Sequence, residues 1–219
     1  LKQFARSGAD TKPRFDWTPQ DSVPPAAIPV STSAGESRIY TTGDIATMVL
    51  VPQVVDAVAP LPVLAAGGIG SGRQMAAALA LGASGVWTGS IWLTTEEAEE
   101  IPIVKEKLLR ASSSDTVKSR CMTGKPVRQL KTAWTDEWEN PANPDPLEMP
   151  LQTMLTFPYL DRVSKAAHKE GTGANELVGS PAGQIIGMIN QIKPSRQVVF
   201  DIVEEFIETS ERLKSVLGD

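Results

Sequence analysis

Apolar and polar positions are ordered most sharply between Leu61 and Trp92, in LPVLAAGGIGSGRQMAAALALGASGVWTGSIW. An apolar run, Leu61–Ala66, ends in Gly67-Gly68-Ile69-Gly70. A small-residue stretch, Arg73–Leu81, follows and stops at Gly82, and a second apolar run, Gly85–Thr88, ends in Gly89-Ser90. Met75, Leu79 and Ala83 recur at i, i+4 and i+8, which predicts one helix between two strands, with Ala76, Ala77, Ala78 and Ala80 permitting close approach to a sheet. The strands are expected to be parallel neighbours joined by a right-handed crossover. Strand, glycine loop, helix, strand and Gly-Ser are what two successive loops at the C-terminal face of a (β/α)8 barrel need to hold a phosphate group. Glycine lets the backbone approach the phosphate and its N–H groups donate to it, and the Ser90 hydroxyl adds a donor. The same residues also suit a βαβ unit whose glycines only turn corners.

Outside this unit the pattern is weaker. Leu1–Tyr40 is rich in Pro, Ser, Asp and Lys with little periodicity, and reads as loop or disordered chain. Thr94 or Thr95 suits the start of a short acidic turn, Glu96–Glu100, and Pro102 opens a helix through Arg110. Asp115–Met122 alternates like a strand and ends at the turn Thr123-Gly124-Lys125-Pro126. Trp134–Pro150, rich in Pro, Asn and Asp, reads as a long ordered loop, and Leu151–Lys169 as a helix broken at Pro158. Ser195–Leu217 is the clearest helix, with Ser195 as N-cap and Val199, Val203, Phe206, Leu213 and Leu217 on its packed face. Three stretches result: 1–40 atypical, 41–100 carrying the phosphate loops, and 101–219 mainly helical.

Composition narrows the chemistry. A net charge of -5 without a Lys/Arg cluster argues against nucleic acid or an anionic membrane surface as partner. No run approaches the ~20 apolar residues of a membrane helix. The single Cys121 excludes an internal disulfide and fits a reducing cytoplasm. It reads as a small strand residue rather than a nucleophile. His168, the one histidine, lies among charged residues before a glycine-rich turn and reads as a solvated helix end; alone it makes no metal site. Trp134 and Trp138 suit either a substrate-pocket wall or a core cover.

GDIATMVLVPQVVDAV (Gly43–Val58), LPVLAAGGIGSGRQMAAALALGASGV and TGSIWLTTEEA together closely resemble the nitronate monooxygenase family, formerly called 2-nitropropane dioxygenases. DTVKSRCMTGKPVRQLKTAW (Asp115–Trp134) and PAGQIIGMI (Pro181–Ile189) extend the resemblance. It implies an FMN-dependent barrel enzyme, with this chain as the C-terminal portion of a (β/α)8 TIM-type barrel bearing additional C-terminal helices. In the family the two glycine loops bind the FMN phosphate, which places that role on Gly67, Gly68, Thr88, Gly89 and Ser90. Gln184 falls in a segment that approaches the flavin in family members, and equally suits the start of the following helix.

Three positions depart from the family pattern. Family members carry Gly-Gly-His-Thr-Gly before the segment matching Asp44–Val58, and its histidine is the proposed base; here the run is Ile39-Tyr40-Thr41-Thr42-Gly43. A threonine hydroxyl does not titrate near neutral pH, so the catalytic residue is unknown. Trp87 stands for the usual glutamine and Ser90 for the usual threonine. The resemblance implies oxidation of alkyl nitronates with O2 by a chain that is incomplete as given. NAD(P)H-dependent enoyl-acyl-carrier-protein reduction, by close relatives acting on enoyl thioesters, and a non-catalytic remnant of such a flavoenzyme stand as alternatives. The oligomeric state is not legible.

Overall fold

The computed structural model describes residues 5–7, 10–14, 27–31, 37–41, 45–169 and 171–218. Contacts group the chain into two units, residues 1–66 with 76–86, and residues 67–75 with 87–219. A loop element and part of a helix depart from their neighbours in sequence to join distant chain, which no local pattern announces.

In the first unit, β1 (Ala5–Ser7) pairs antiparallel with β2 (Asp10–Arg14), and β3 (Ala27–Ser31) with β4 (Ser37–Thr41). These strands replace part of the loop expected over 1–40. Ile28, Val30, Ile39 and Tyr40 favour extended backbone, and two short antiparallel pairs satisfy backbone groups without a long periodic pattern. Next comes α1 (Thr47–Val58), within the segment Gly43–Val58 that carries the family resemblance. The two apolar runs become β5 (Leu64–Ala66) and β6 (Gly85–Trp87), hydrogen-bonded neighbours linked through α2 (Gly72–Ala80), as the pattern predicts.

The second unit has its core between α3 (Pro102–Arg110), β7 (Thr116–Ser119), β8 (Val127–Leu130) and the segments after them. Val104 and Leu108, fully buried on one face of α3, pack with Leu130, Val178, Ala182 and Ile186. β7 and β8 pair antiparallel, Thr116 opposite Leu130 and Ser119 opposite Val127, so the predicted strand ends sooner and gains an unforeseen partner. Cys121 lies buried in the turn after β7, where Gln129 Nε2 donates to its sulfur at 3.2 Å and Gln152 Nε2 to its carbonyl at 2.8 Å.

Three helical expectations change. The loop foreseen over 134–150 begins as α4 (Ala133–Trp138), because Thr132 and Thr135 form a reciprocal capping pair at its start. α5 (Leu151–Ala166) runs unbroken through Pro158. The proline removes one backbone bond on an exposed face. Buried Gln152 and Thr156, bonded to the Cys121 and Met122 carbonyls, hold the helix on its other side. After α6 (Ala174–Leu177) comes α7 (Ser195–Leu217), whose packed face is rotated from the predicted stripe. Val199 and Val203 are exposed, whereas Val198, Asp201, Ile202, Glu205, Phe206 and buried Thr209 turn inward. Asp201 and Glu205 explain the rotation, since each is ion-paired on that side, with Lys193 and Arg73.

Ser195 is the first helical residue of α7 rather than its cap. The Glu97 carboxylate caps the helix from outside, accepting from Ser195 N (2.8 Å) and Ser195 Oγ (2.7 Å). The Ser195 hydroxyl and backbone N–H hold the Glu97 pKa below its ordinary value, as the Lys193 ammonium and Gln197 amide hold that of Asp201. A carboxylate whose folded pKa is depressed stabilises the fold above its unfolded pKa, and that contribution is lost as pH falls through the folded value. Thermal stability is therefore expected to decline as pH drops below about 4. Glu97→Gln should show a shallower acid decline in a series of melts, and an identical acid limb would contradict the assignment.

Candidate phosphate-binding site

All the residues assigned to the phosphate loops lie in the second unit. Gly67 and Gly68 leave β5 with φ of 97° and 74°, a conformation that costs most other residues strain. A Cβ built on Gly68 or on Gly89 meets no atom within 4 Å, so the backbone at both places faces open space. Gly70 is the opposite case. Its Cβ would lie 2.5 Å from Ile91 Cγ2 and 2.6 Å from Ile185 Cγ1, so its bare backbone lets the loop seat directly on two 3-10 turns, Ser90–Trp92 and Gln184–Met188.

The starts of those turns are tied together. Gly183 N donates to Ser90 Oγ at 2.8 Å, across 93 positions of sequence. Exposed Gln184 follows Gly183 directly and so lies beside Gly89–Ser90, while Gly70 seats the loop begun by Gly67–Gly68 on the same two turns. Thr88 is held from below, since Trp92 Nε1 donates to its carbonyl at 3.1 Å and its Oγ1 at 3.0 Å.

Sequence reasoning missed two side chains that shape the loop. Glu205, on α7, accepts from Gly72 N at 2.7 Å and from Arg73 Nε at 2.7 Å. The positive end of α2 is thus filled by a protein carboxylate. A Cβ on Gly72 would overlap the backbone of Phe206 and Ile202, so α7 lies flush on the start of α2. Gln74 accepts from Gly70 N at 2.9 Å through Oε1 and donates Nε2 to the Gly68 carbonyl at 2.7 Å. Its signal was present: Ser71-x-x-Gln74 has capping-box spacing, and Ser71 Oγ accepts from Gln74 N at 3.3 Å.

Other candidates lie elsewhere or take structural parts. Thr41 closes β4 opposite Ala27, and its side chain lies outside the described residues. Trp87 ends β6, about half exposed. His168 is exposed just beyond α5. Trp134 and Trp138 pack on each other along α4, ring centres 6.2 Å apart. Among the described residues no helix is long and apolar enough to cross a membrane.

Residues 32–205 match the family model described as nitronate monooxygenase. The chain is 59% identical over 192 residues to an inferred monooxygenase, Rv1533, of Mycobacterium tuberculosis, covering 88% of this chain and 51% of that protein. It is 32% identical over 178 residues to an inferred nitronate monooxygenase of Bacillus subtilis, covering 80% and 47%. Among solved structures, a nitroalkane oxidase from Streptomyces ansochromogenes superposes with a TM-score of 0.65 at 32% identity, covering 77% of this chain and 46% of that one. FabK from Thermotoga maritima superposes with a TM-score of 0.63 at 38% identity, covering 80% and 53%. The chain spans about half the length of these relatives. With the match running from residue 32 through the loops to Glu205 on α7, the chain belongs to the nitronate monooxygenase family.

Proposed function

We propose that the chain holds the phosphate of FMN in the C-terminal part of a (β/α)8 barrel, as part of an oxidoreductase that oxidises alkyl nitronates with O2. The observation that carries this reading is the open space in front of Gly68 and Gly89, on loops otherwise fastened to the protein. An accounting of donors narrows the contacts. Gly70, Gly72 and Gly183 spend their N–H groups on Gln74, Glu205 and Ser90. Gly68, Gly89 and Ser90 are left to donate theirs to phosphate oxygens, and Ser90 Oγ, already accepting from Gly183, keeps its own proton to donate. Because Glu205 fills the end of α2, the anion is directed away from that end, to the N–H groups of Gly68, Gly89 and Ser90. Gln184, beside the Ser90–Gly183 tie, is within the same cluster and suits an amide contact to the flavin.

FMN, when bound, supplies the electron acceptor between substrate and O2. The chain's part is to fix its phosphate. Thr41, at the place of the family histidine, supplies no base near neutral pH, which favours a substrate that has already lost its proton, the nitronate rather than the neutral nitroalkane.

Titration of the purified chain with FMN and with riboflavin, which lacks the phosphate, tests the first half of the reading. FMN is expected to bind at least about tenfold tighter, and equal binding would overturn the phosphate site. Oxygen uptake tests the second half, with an alkyl nitronate expected to drive it and the parent nitroalkane not. NADH-driven reduction of an enoyl thioester instead would replace the substrate assignment. Uptake equal to that of free FMN would identify a non-catalytic remnant.

A further inference from the structure

We propose that Gln74 is a positioning residue for the phosphate loop, an inference that rests on the FMN reading above. Its side-chain amide bridges the loop from behind, with Oε1 on Gly70 N (2.9 Å) and Nε2 on the Gly68 carbonyl (2.7 Å). An N–H requires the amide oxygen and a carbonyl requires the amide NH2, so only one orientation of the amide makes both bonds. In an ordinary capping box the Gln side chain returns to the N–H of the cap residue; here it reaches past Ser71 to fasten the glycines themselves.

Two consequences follow for an anion. In a trans peptide the C=O of one residue and the N–H of the next point in opposite directions. Holding the Gly68 carbonyl on Gln74 therefore keeps the negative end of that peptide dipole toward α2 and turns the Ile69 N–H away from it. A phosphate approaching the open side of Gly68 meets donors rather than a carbonyl. The clamp also restrains Gly68, at φ 74°, in a segment of four residues of which three are glycine. Glycine loses more freedom on ordering than any other residue, and a loop ordered beforehand binds more tightly.

Gln74→Met keeps the length and helix preference of the side chain and removes both bonds. Gln74→Glu keeps the acceptor for Gly70 and replaces the donor to Gly68 with a negative charge. Three measurements on the ligand-free and titrated chain test the role: amide hydrogen exchange at Ile69 and Gly70, and the Kd for FMN and for riboflavin. In Gln74→Met, exchange at Gly70 is expected to quicken and the Kd for FMN to rise about tenfold, with riboflavin unchanged. Gln74→Glu is expected to lose more FMN affinity than Gln74→Met. Unaltered FMN affinity in both variants would overturn the proposal. FMN and riboflavin weakened in parallel would also overturn it, reducing Gln74 to a structural residue. If the unsubstituted chain binds FMN and riboflavin equally, the phosphate reading itself fails and the role of Gln74 fails with it, whatever the exchange rates show.

Discussion

Gly68→Asp is expected to leave the chain folded and to abolish FMN binding. The built Cβ at Gly68 meets nothing within 4 Å, so the side chain has room, and at φ 74° Asp is among the better-tolerated replacements. Backbone strain costs of order 1 kcal/mol, which a folded domain survives. The carboxylate would stand on the open side of the loop, where the proposed phosphate approaches. Two like charges about 4 Å apart repel by ~4 kcal/mol at the effective dielectric of a protein surface, several hundredfold to a thousandfold in affinity. Gly68→Asn carries nearly the same shape without the charge and is expected to lose far less. Flavin fluorescence titration of the two variants separates charge from strain. Unchanged FMN retention in Gly68→Asp would remove the phosphate from this loop.

Gly72→Ala carries the largest expected effect on stability, in a direction opposite to helix propensity. Alanine in a helix is ordinarily better than glycine by about 1 kcal/mol. Here the added methyl would overlap Phe206 N and Ile202 O and lie 2.6 Å from the Glu205 carbonyl carbon. All three are backbone atoms within α7, which cannot turn aside as a side chain can. Relief requires α7 to lift away, and with it go the Glu205 bonds to Gly72 and Arg73. The net cost is expected at roughly 1–3 kcal/mol or more, seen as a lower Tm together with new protease cleavage along α7. Gly89→Ala is the matched control, since nothing lies within 4 Å of its Cβ. A Tm for Gly72→Ala at or above that of the unsubstituted chain would show that α7 does not bear on α2.

The glycine loops, α2, α3 and the extent of α7 were legible because each is written in a local pattern: apolar run, small-residue helix, proline start, amphipathic repeat. What stayed hidden depends on partners far off in sequence. The packed face of α7 follows Asp201 and Glu205 rather than Val199 and Val203, because ion pairs with Lys193 and Arg73 turn the polar residues inward. Its cap comes from Glu97, 98 positions away. Within the candidate site, Gly68, Gly89 and Ser90 are proposed from spacing, whereas Glu205 has no local mark at all. Gln74 did have one, the Ser-x-x-Gln spacing, overshadowed by the glycines before it. α4 escaped notice because its capping pair is Thr–Thr rather than the more familiar Ser/Thr with Glu/Gln.

The bond between Gly72 and Glu205 spans 133 positions, which gives it a timetable. At 5–20 residues per second on the ribosome, Glu205 emerges roughly 7 to 27 s after Gly72. Through that interval the start of α2 has no carboxylate of its own, and solution anions are free to visit it. α7 then arrives as a late bolt, its carboxylate capping α2 and fastening the far end of the glycine loop through Gly72 N and Arg73 Nε. Premature termination before Glu205 would accordingly leave the N–H groups at the start of α2 without this carboxylate.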